Sequence, residues 1–182
     1  MVPLLSQKKY YENFMKYMNQ DGVVILELTL VQEQYDEKIK YDGLFYYLNK
    51  SNYIFDNDEQ RVVFNKDQIK TINKVNKQII LEDLMPNSFN VFDLFNGLQD
   101  FIEIYDSKVL NNNNVKTFFK IKDWSVSGSF ITQLETGEPK KLEFGSEKSM
   151  QSIVLILNSV ILTDMNLKNI DTKNFNMVDL RE

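Results

Sequence analysis

The reactive side chains of this chain are few in type, because it contains neither histidine nor cysteine. Without histidine it lacks the commonest general base and the commonest transition-metal ligand. Without cysteine it has no thiolate nucleophile, no disulfide framework and no thiolate zinc site. What remains is carboxylate, amine and hydroxyl chemistry. The densest oxygen cluster is Asp56-Asn57-Asp58-Glu59, which invites a calcium reading. It lacks the glycine and the distant glutamate of an EF-hand loop, so a solvated hairpin turn is the preferred reading. No G-x-S-x-G, G-x-G-x-x-G or P-loop occurs. A glycosidase-like carboxylate pair can be assembled in any acidic, β-rich chain and stays open at this stage. Trp124, beside Asp123 at a strand end, is read as structural before it is read as an interface. The chain is read as non-enzymatic, with no metal and no cofactor.

The residues that recur at regular spacing are apolar, and they point to binding. After Ser6, a candidate N-cap, Tyr10, Tyr11, Phe14, Met15, Tyr17 and Met18 follow helical spacing until Asp21-Gly22. From Val23 to Val31 the period drops to two, with Val24, Leu26, Leu28 and Leu30 on one face. Strands are then expected around Gly43–Leu48, Tyr53–Phe55, Arg61–Phe64, Ile69–Ile72 and Gln78–Leu81, with turns at Asn57-Asp58 and Asn65-Lys66. Pro86 interrupts the pattern, Asn87 or Ser88 can cap, and Phe89, Phe92, Leu94 and Phe95 lie on a second predicted helix ending at Gly97. Further strands are expected at Phe101–Tyr105, Val115–Lys122, Ser129–Leu134, Lys141–Phe144 and Gln151–Val160, with a last short piece around Phe175, Met177 and Leu180. Asn111–Asn114 and Thr136-Gly137 mark turns. Alternation of Val115, Thr117, Phe119 and Ile121 with Lys116, Lys120 and Lys122 gives that strand one wet face.

These elements predict a mainly β fold with α: a strongly curved antiparallel sheet of roughly ten strands forming an incomplete half-barrel covered by short helices. Greasy helices placed before and within the sheet suit plugs or lids over an open trough. At 182 residues the chain is long enough for one sizeable core, and residues 1–182 are read as one domain. A net charge of −5 with scattered lysines excludes the basic stripe that nucleic-acid binding needs. No apolar run approaches the roughly 18–20 residues of a membrane helix. The N-terminal MVPLLSQKK lacks the charged region and the apolar stretch of about 7–15 residues that make a signal peptide. A cytoplasmic protein, or a mature form whose leader has been removed, is therefore expected.

Several segments, in order, resemble the periplasmic lipoprotein-carrier (LolA-like) family. LELTLVQEQ at the first strand answers the family's F-x-x-x-x-Q, and Gly43-Leu44-Phe45-Tyr46-Tyr47 its G-x-hydrophobic strand. Asn52-Tyr53-Ile54-Phe55 stands for its P-N-x-aromatic segment. Asn65 to Gln78 parallels D-G-x-x-hydrophobic-x-x-Y-N-x-x-x-x-Q with Ile69, Asn73 and Gln78 in register, and Ile170 to Phe175 resembles the closing V-D-x-x-x-F. The resemblance runs from Phe14 to Leu180. It departs where the family's latch arginine, which helps to hold the lid helices shut, is replaced by Lys50, a charge without the planar fork.

The resemblance implies a periplasmic carrier or chaperone that shields the acyl chains of lipoproteins or lipids in a cavity under a helical lid. It would take cargo from an inner-membrane release complex and pass it to an outer-membrane acceptor, in outer-membrane biogenesis, as a monomer. Candidate acyl-chain and lid residues are Phe14, Met18, Leu26, Leu28, Phe45, Tyr47, Phe89, Phe92, Leu94 and Phe95, with Lys50 as the candidate latch. Burial at about 0.8 kcal/mol per methylene gives one full chain roughly 12 kcal/mol, so release requires lid side chains that compete for the same trough. The alternative reading is a β-rich interaction or sensor module of the same shape, with a filled core, that docks partners through strand edges or a rim.

Overall fold

The computed structural model describes residues 4–34, 37–84, 94–95, 101–121, 126–146, 151–162 and 167–181. The chain begins with α1 (Leu4–Met18) and continues as β1 (Val23–Gln34), β2 (Glu37–Asn49), β3 (Asn52–Asp56), β4 (Gln60–Phe64), β5 (Gln68–Asn73) and β6 (Gln78–Asp83). It then forms β7 (Ile102–Leu110), β8 (Asn114–Ile121), β9 (Val126–Gln133), β10 (Pro139–Ser146), β11 (Gln151–Leu162) and β12 (Asn176–Asp179). The 12 described strands join one sheet in the order β12-β6-β5-β4-β3-β2-β1-β11-β10-β9-β8-β7. Its ends do not meet. The half-barrel expectation is therefore met by an open, curved sheet.

Pleating sorts the side chains. Val24, Leu26 and Leu28 of β1 lie opposite Tyr47, Phe45 and Gly43 of β2, and Phe45 and Tyr47 lie opposite Phe55 and Tyr53 of β3. These residues form one apolar core on the concave face, joined by Phe119, Phe130, Leu142 and Leu155 from the other half. Gly43 has no Cβ because the Phe55 ring crosses it: a Cβ there would lie 2.6 Å from that ring. Asparagines close the hairpins at the predicted places. Asn57 Oδ1 accepts from the backbone N–H groups of Glu59 and Gln60, and Asn65 Oδ1 from those of Asp67 and Gln68.

The convex face carries a second, smaller buried layer of Tyr46, Ile54, Arg61, Ile72 and Ile79. Arg61 Nη2 donates to Asp56 Oδ2 (2.6 Å) and to the Lys168 carbonyl (3.0 Å), while Lys74 Nζ bonds Asp56 Oδ1 at 2.8 Å. This ion cluster ties the C-terminal segment to the outside of the sheet.

Several expectations change. The sheet is mixed rather than purely antiparallel, because β12 pairs parallel with β6. The chain reaches that edge by a long return from the central β11 and not by a hairpin, which is the connection parallel pairing requires. β2 begins at Glu37, ahead of the predicted Gly43, because its first half is solvent-exposed and charged and so lacks an apolar signature. Ser6 lies inside α1, which starts at Leu4, rather than capping it. Leu94 and Phe95 occupy a short 3₁₀ turn, and the rest of the predicted second helix lies outside the described residues.

Candidate functional site

The trough is filled along one part of its length. Tyr11, Phe14 and Met18, at spacings of three and four, put their side chains from α1 into the concave core. Phe14 packs against Phe130 with ring centroids 5.0 Å apart and against Phe95 at 6.2 Å; Phe95 in turn meets Phe45 at 5.3 Å. The helix C-terminus is fixed by Asn19, whose side-chain amide donates to the Met15 carbonyl (2.8 Å) and whose Oδ1 accepts from Tyr47 Oη (3.2 Å). At the other side Gly137, with φ of +77°, abuts the Asn13 backbone, where a Cβ would fall 2.3 Å from Asn13 C. Burial pushes the Tyr47 phenol up to about 12, although its bond to Asn19 pulls it down. Burial, and then the neighbouring Tyr47, raises the Tyr11 phenol too, and its oxygen has no hydrogen-bond partner among the described residues.

Beside this plug the trough opens. A cavity of about 560 Å³ is walled by Leu30, Tyr41, Phe55, Val62 and Phe64. Each belongs to the concave register: Tyr41 faces Leu30, Val62 faces Phe55 and Phe64 faces Tyr53. Its rim is made of Gln32, Asn57, Glu59, Gln60, Asn73, Val75 and Asn76. The volume falls within the roughly 300–1,000 Å³ of sites that hold one small ligand. Tyr41 at 39% and Val75 at 69% exposure place apolar surface at its mouth.

A larger cleft of about 720 Å³ lies on the convex face between β1, β2 and Lys168. Six of its polar side chains pair with one another. Asp42 accepts from Thr29 Oγ1 (2.5 Å), Glu27 from Asn158 (3.2 Å) and Asp56 from Lys74. That pairing suits a solvated groove under the returning chain, so the concave cavity is the candidate site. Among the described residues no group of three or more carboxylates is placed to hold a metal ion, and the Asp56–Glu59 cluster is the β3–β4 turn.

Of the residues singled out in the sequence, Phe14, Met18, Leu26, Leu28, Phe45, Tyr47, Leu94 and Phe95 are all buried in the one concave core. They line the filled part of the trough, not the open part. Phe89 and Phe92 lie outside the described residues. Lys50 is exposed at the β2–β3 turn. The hollow expected beneath the helix is occupied by its own aromatic side chains, and the open volume sits next to it. Sequence reasoning missed the wall of that volume and its amide rim. On β1 the alternation continues past Leu30 to Gln32, but Ile39 and Tyr41 opposite it stand among charged residues and carry no apolar signature of their own.

No family model matches the chain, and no curated protein matches it by sequence. Solved structures resemble it in shape. An uncharacterised conserved protein from Thermus thermophilus aligns with a TM-score of 0.58 at 12% identity, over 96% of this chain and 99% of that one. A LolA superfamily protein from Nitrosomonas europaea gives 0.45 at 13% identity, over 93% and 97% of the two chains. LprF from Mycobacterium bovis gives 0.47 at 8%, over 93% and 99%. At such identities the likeness is one of fold alone, and the last two are distant.

Proposed function

We propose that residues 1–182 act as one non-enzymatic carrier domain that shields acyl chains of lipoproteins or lipids in the concave trough and hands them on between membranes, in the periplasm. The observation that carries this reading is the apolar cavity of about 560 Å³ continuous with the concave core and open at its mouth. Hydrocarbon in it is removed from water at about 0.8 kcal/mol per methylene. No step needs a nucleophile, base or metal, in keeping with a chain that has neither histidine nor cysteine. The plug of Tyr11, Phe14 and Met18 adds reversibility: longer cargo extends the cavity only by displacing side chains that already occupy the trough. No described helix is long and apolar enough to cross a membrane.

Native mass spectrometry of the protein purified from bacteria, followed by displacement of an uncharged polarity-sensitive dye, tests the reading. Co-purified lipid, and dye released by long-chain but not short-chain acyl ligands, are expected. Val62→Trp, which fills the cavity from its wall, is expected to abolish dye binding and leave the far-UV spectrum unchanged. A clean apo mass with no displacement by any acyl ligand would favour the interaction module with a filled core.

A further inference from the structure

The charges of this sheet are sorted by face. In β1 to β6 the residues sharing the concave register include Gln32, Tyr41, Phe55, Gln60, Val62 and Asn73, and no lysine or arginine is among them. Lys38, Lys40, Arg61 and Lys70 all fall on the opposite parity, in the convex register of Tyr46 and Ile54. The described residues around the cavity contain one charged side chain, the carboxylate of Glu59. Glu37, opposite Gln34, and Glu82, opposite Ile69, share the concave register, so the charged residues of that register in β1 to β6 are carboxylates.

A ligand whose hydrocarbon fills the cavity must leave its head group at this rim. A carboxylate or phosphate head would lose water there and face Glu59, with no lysine or arginine among the described lining residues; Lys74, whose chain neighbours lie on the rim, spends its ammonium on Asp56 and the Asn57 carbonyl. An ester, amide or hydroxyl head meets side-chain amides. Asn57 and Asn73 turn their oxygens onto the backbone of their own turns, so each offers an –NH₂ donor, and Gln32 and Gln60 can donate or accept.

We infer that the cavity selects acyl chains carrying an uncharged, hydrogen-bonding head, of the glycerol-ester or acyl-amide kind, and discriminates against anionic amphiphiles of the same chain length. The inference rests on the carrier reading and adds the head-group chemistry to it.

The test is competition for the bound uncharged dye by monopalmitoylglycerol, palmitate and lysophosphatidic acid with the same chain, each below its aggregation threshold and at a pH where both acids are ionised. The glycerol ester is expected to bind about tenfold or more tightly than either anion. Glu59→Gln is expected to narrow the ratio, and Glu59→Lys, on an exposed turn, to invert it. Equal or tighter binding of the anions by the wild type, or a ratio indifferent to Glu59→Lys in a variant of unchanged melting temperature, overturns the selectivity and leaves the carrier reading standing. Failure of all three ligands to displace the dye removes the carrier reading itself, and the selectivity with it.

Discussion

Replacing Phe14 with alanine tests whether α1 is a plug seated in the trough. The side chain is 1% exposed, and its ring touches those of Phe130 (5.0 Å), Tyr11 (6.0 Å) and Phe95 (6.2 Å). Phenylalanine-to-alanine changes at such sites cost about 3–5 kcal/mol, the transfer of the ring plus the void it leaves. For a chain of this size that is a fall in Tm of roughly 10 °C. The same substitution weakens the plug against cargo. Full burial of Tyr11, Phe14 and Met18 contributes about 6 kcal/mol in all, which about eight methylenes return when a chain takes their place. Without the Phe14 ring, fewer methylenes are needed. Urea unfolding followed by far-UV circular dichroism gives the first quantity, and a chain-length series of monoacylglycerols gives the second. In the wild type, affinity should rise with length until the side cavity is full and then flatten; in Phe14→Ala it should go on rising. A stability loss below about 1 kcal/mol with an unchanged denaturant slope would refute the seating of the helix. A large loss with identical length profiles would show a structural plug that cargo never displaces.

Asp56→Asn should destabilise the fold by on the order of 3 kcal/mol at neutral pH, since it leaves Arg61, 8% exposed, without its carboxylate; urea midpoints measure this. Desolvation works to raise the Asp56 carboxyl, but the hydrogen bonds from Arg61 and Lys74, with their charges, outweigh it and hold it below the usual range. The stability it supplies is therefore complete above the unfolded carboxylate pKa and disappears as pH falls through the lower folded value, and the variant's acid limb should be correspondingly shallower. Gly137→Ala should cost at least about 2 kcal/mol, because φ is +77° and the added carbon would meet the Asn13 backbone; thermal denaturation tests it, and a neutral outcome would mean that α1 does not rest on this turn.

Much of the sheet was legible because one face of it is dry. Where Leu26, Leu28 and Leu30 alternate with Glu27 and Thr29, or Val115, Phe119 and Ile121 sit beside Lys116 and Lys120, the period of two marks both strand and inward face. The hairpins were legible from asparagines whose side chains close their own turns. The first half of β2 was not, since Glu37, Lys38, Lys40 and Asp42 surround Ile39 and Tyr41 with solvent on both faces. The parallel β12 was not, because no local pattern encodes the direction of a strand that arrives from a distant part of the chain. The site was half legible for a related reason. Periodicity identified residues on the trough wall, such as Leu26 and Phe45, but whether space remains above them depends on the sheet's curvature and on what α1 fills. Both are tertiary quantities.

That the trough stays open follows from its two edges. Closing the sheet would require β7 to pair with β12, and the two are mismatched. β12 is four residues long and already spends one side on β6, in parallel register. β7 is nine residues long, and its register shifts between Ile104 and Asp106, leaving Tyr105 outside the ladder. Tyr105 is instead held on the outer face, with Lys120 Nζ 5.2 Å from its ring centroid and the Phe118 ring 6.1 Å away. Glu103, Asp106 and Lys108 add exposed charge along the same edge. A bulge, charges and a length mismatch are devices that keep strand edges from pairing with another strand. Here they also prevent the molecule from sealing its own hollow, so the exposed end of the trough at Leu30, Tyr41 and Val62 remains reachable from solvent without unfolding any strand.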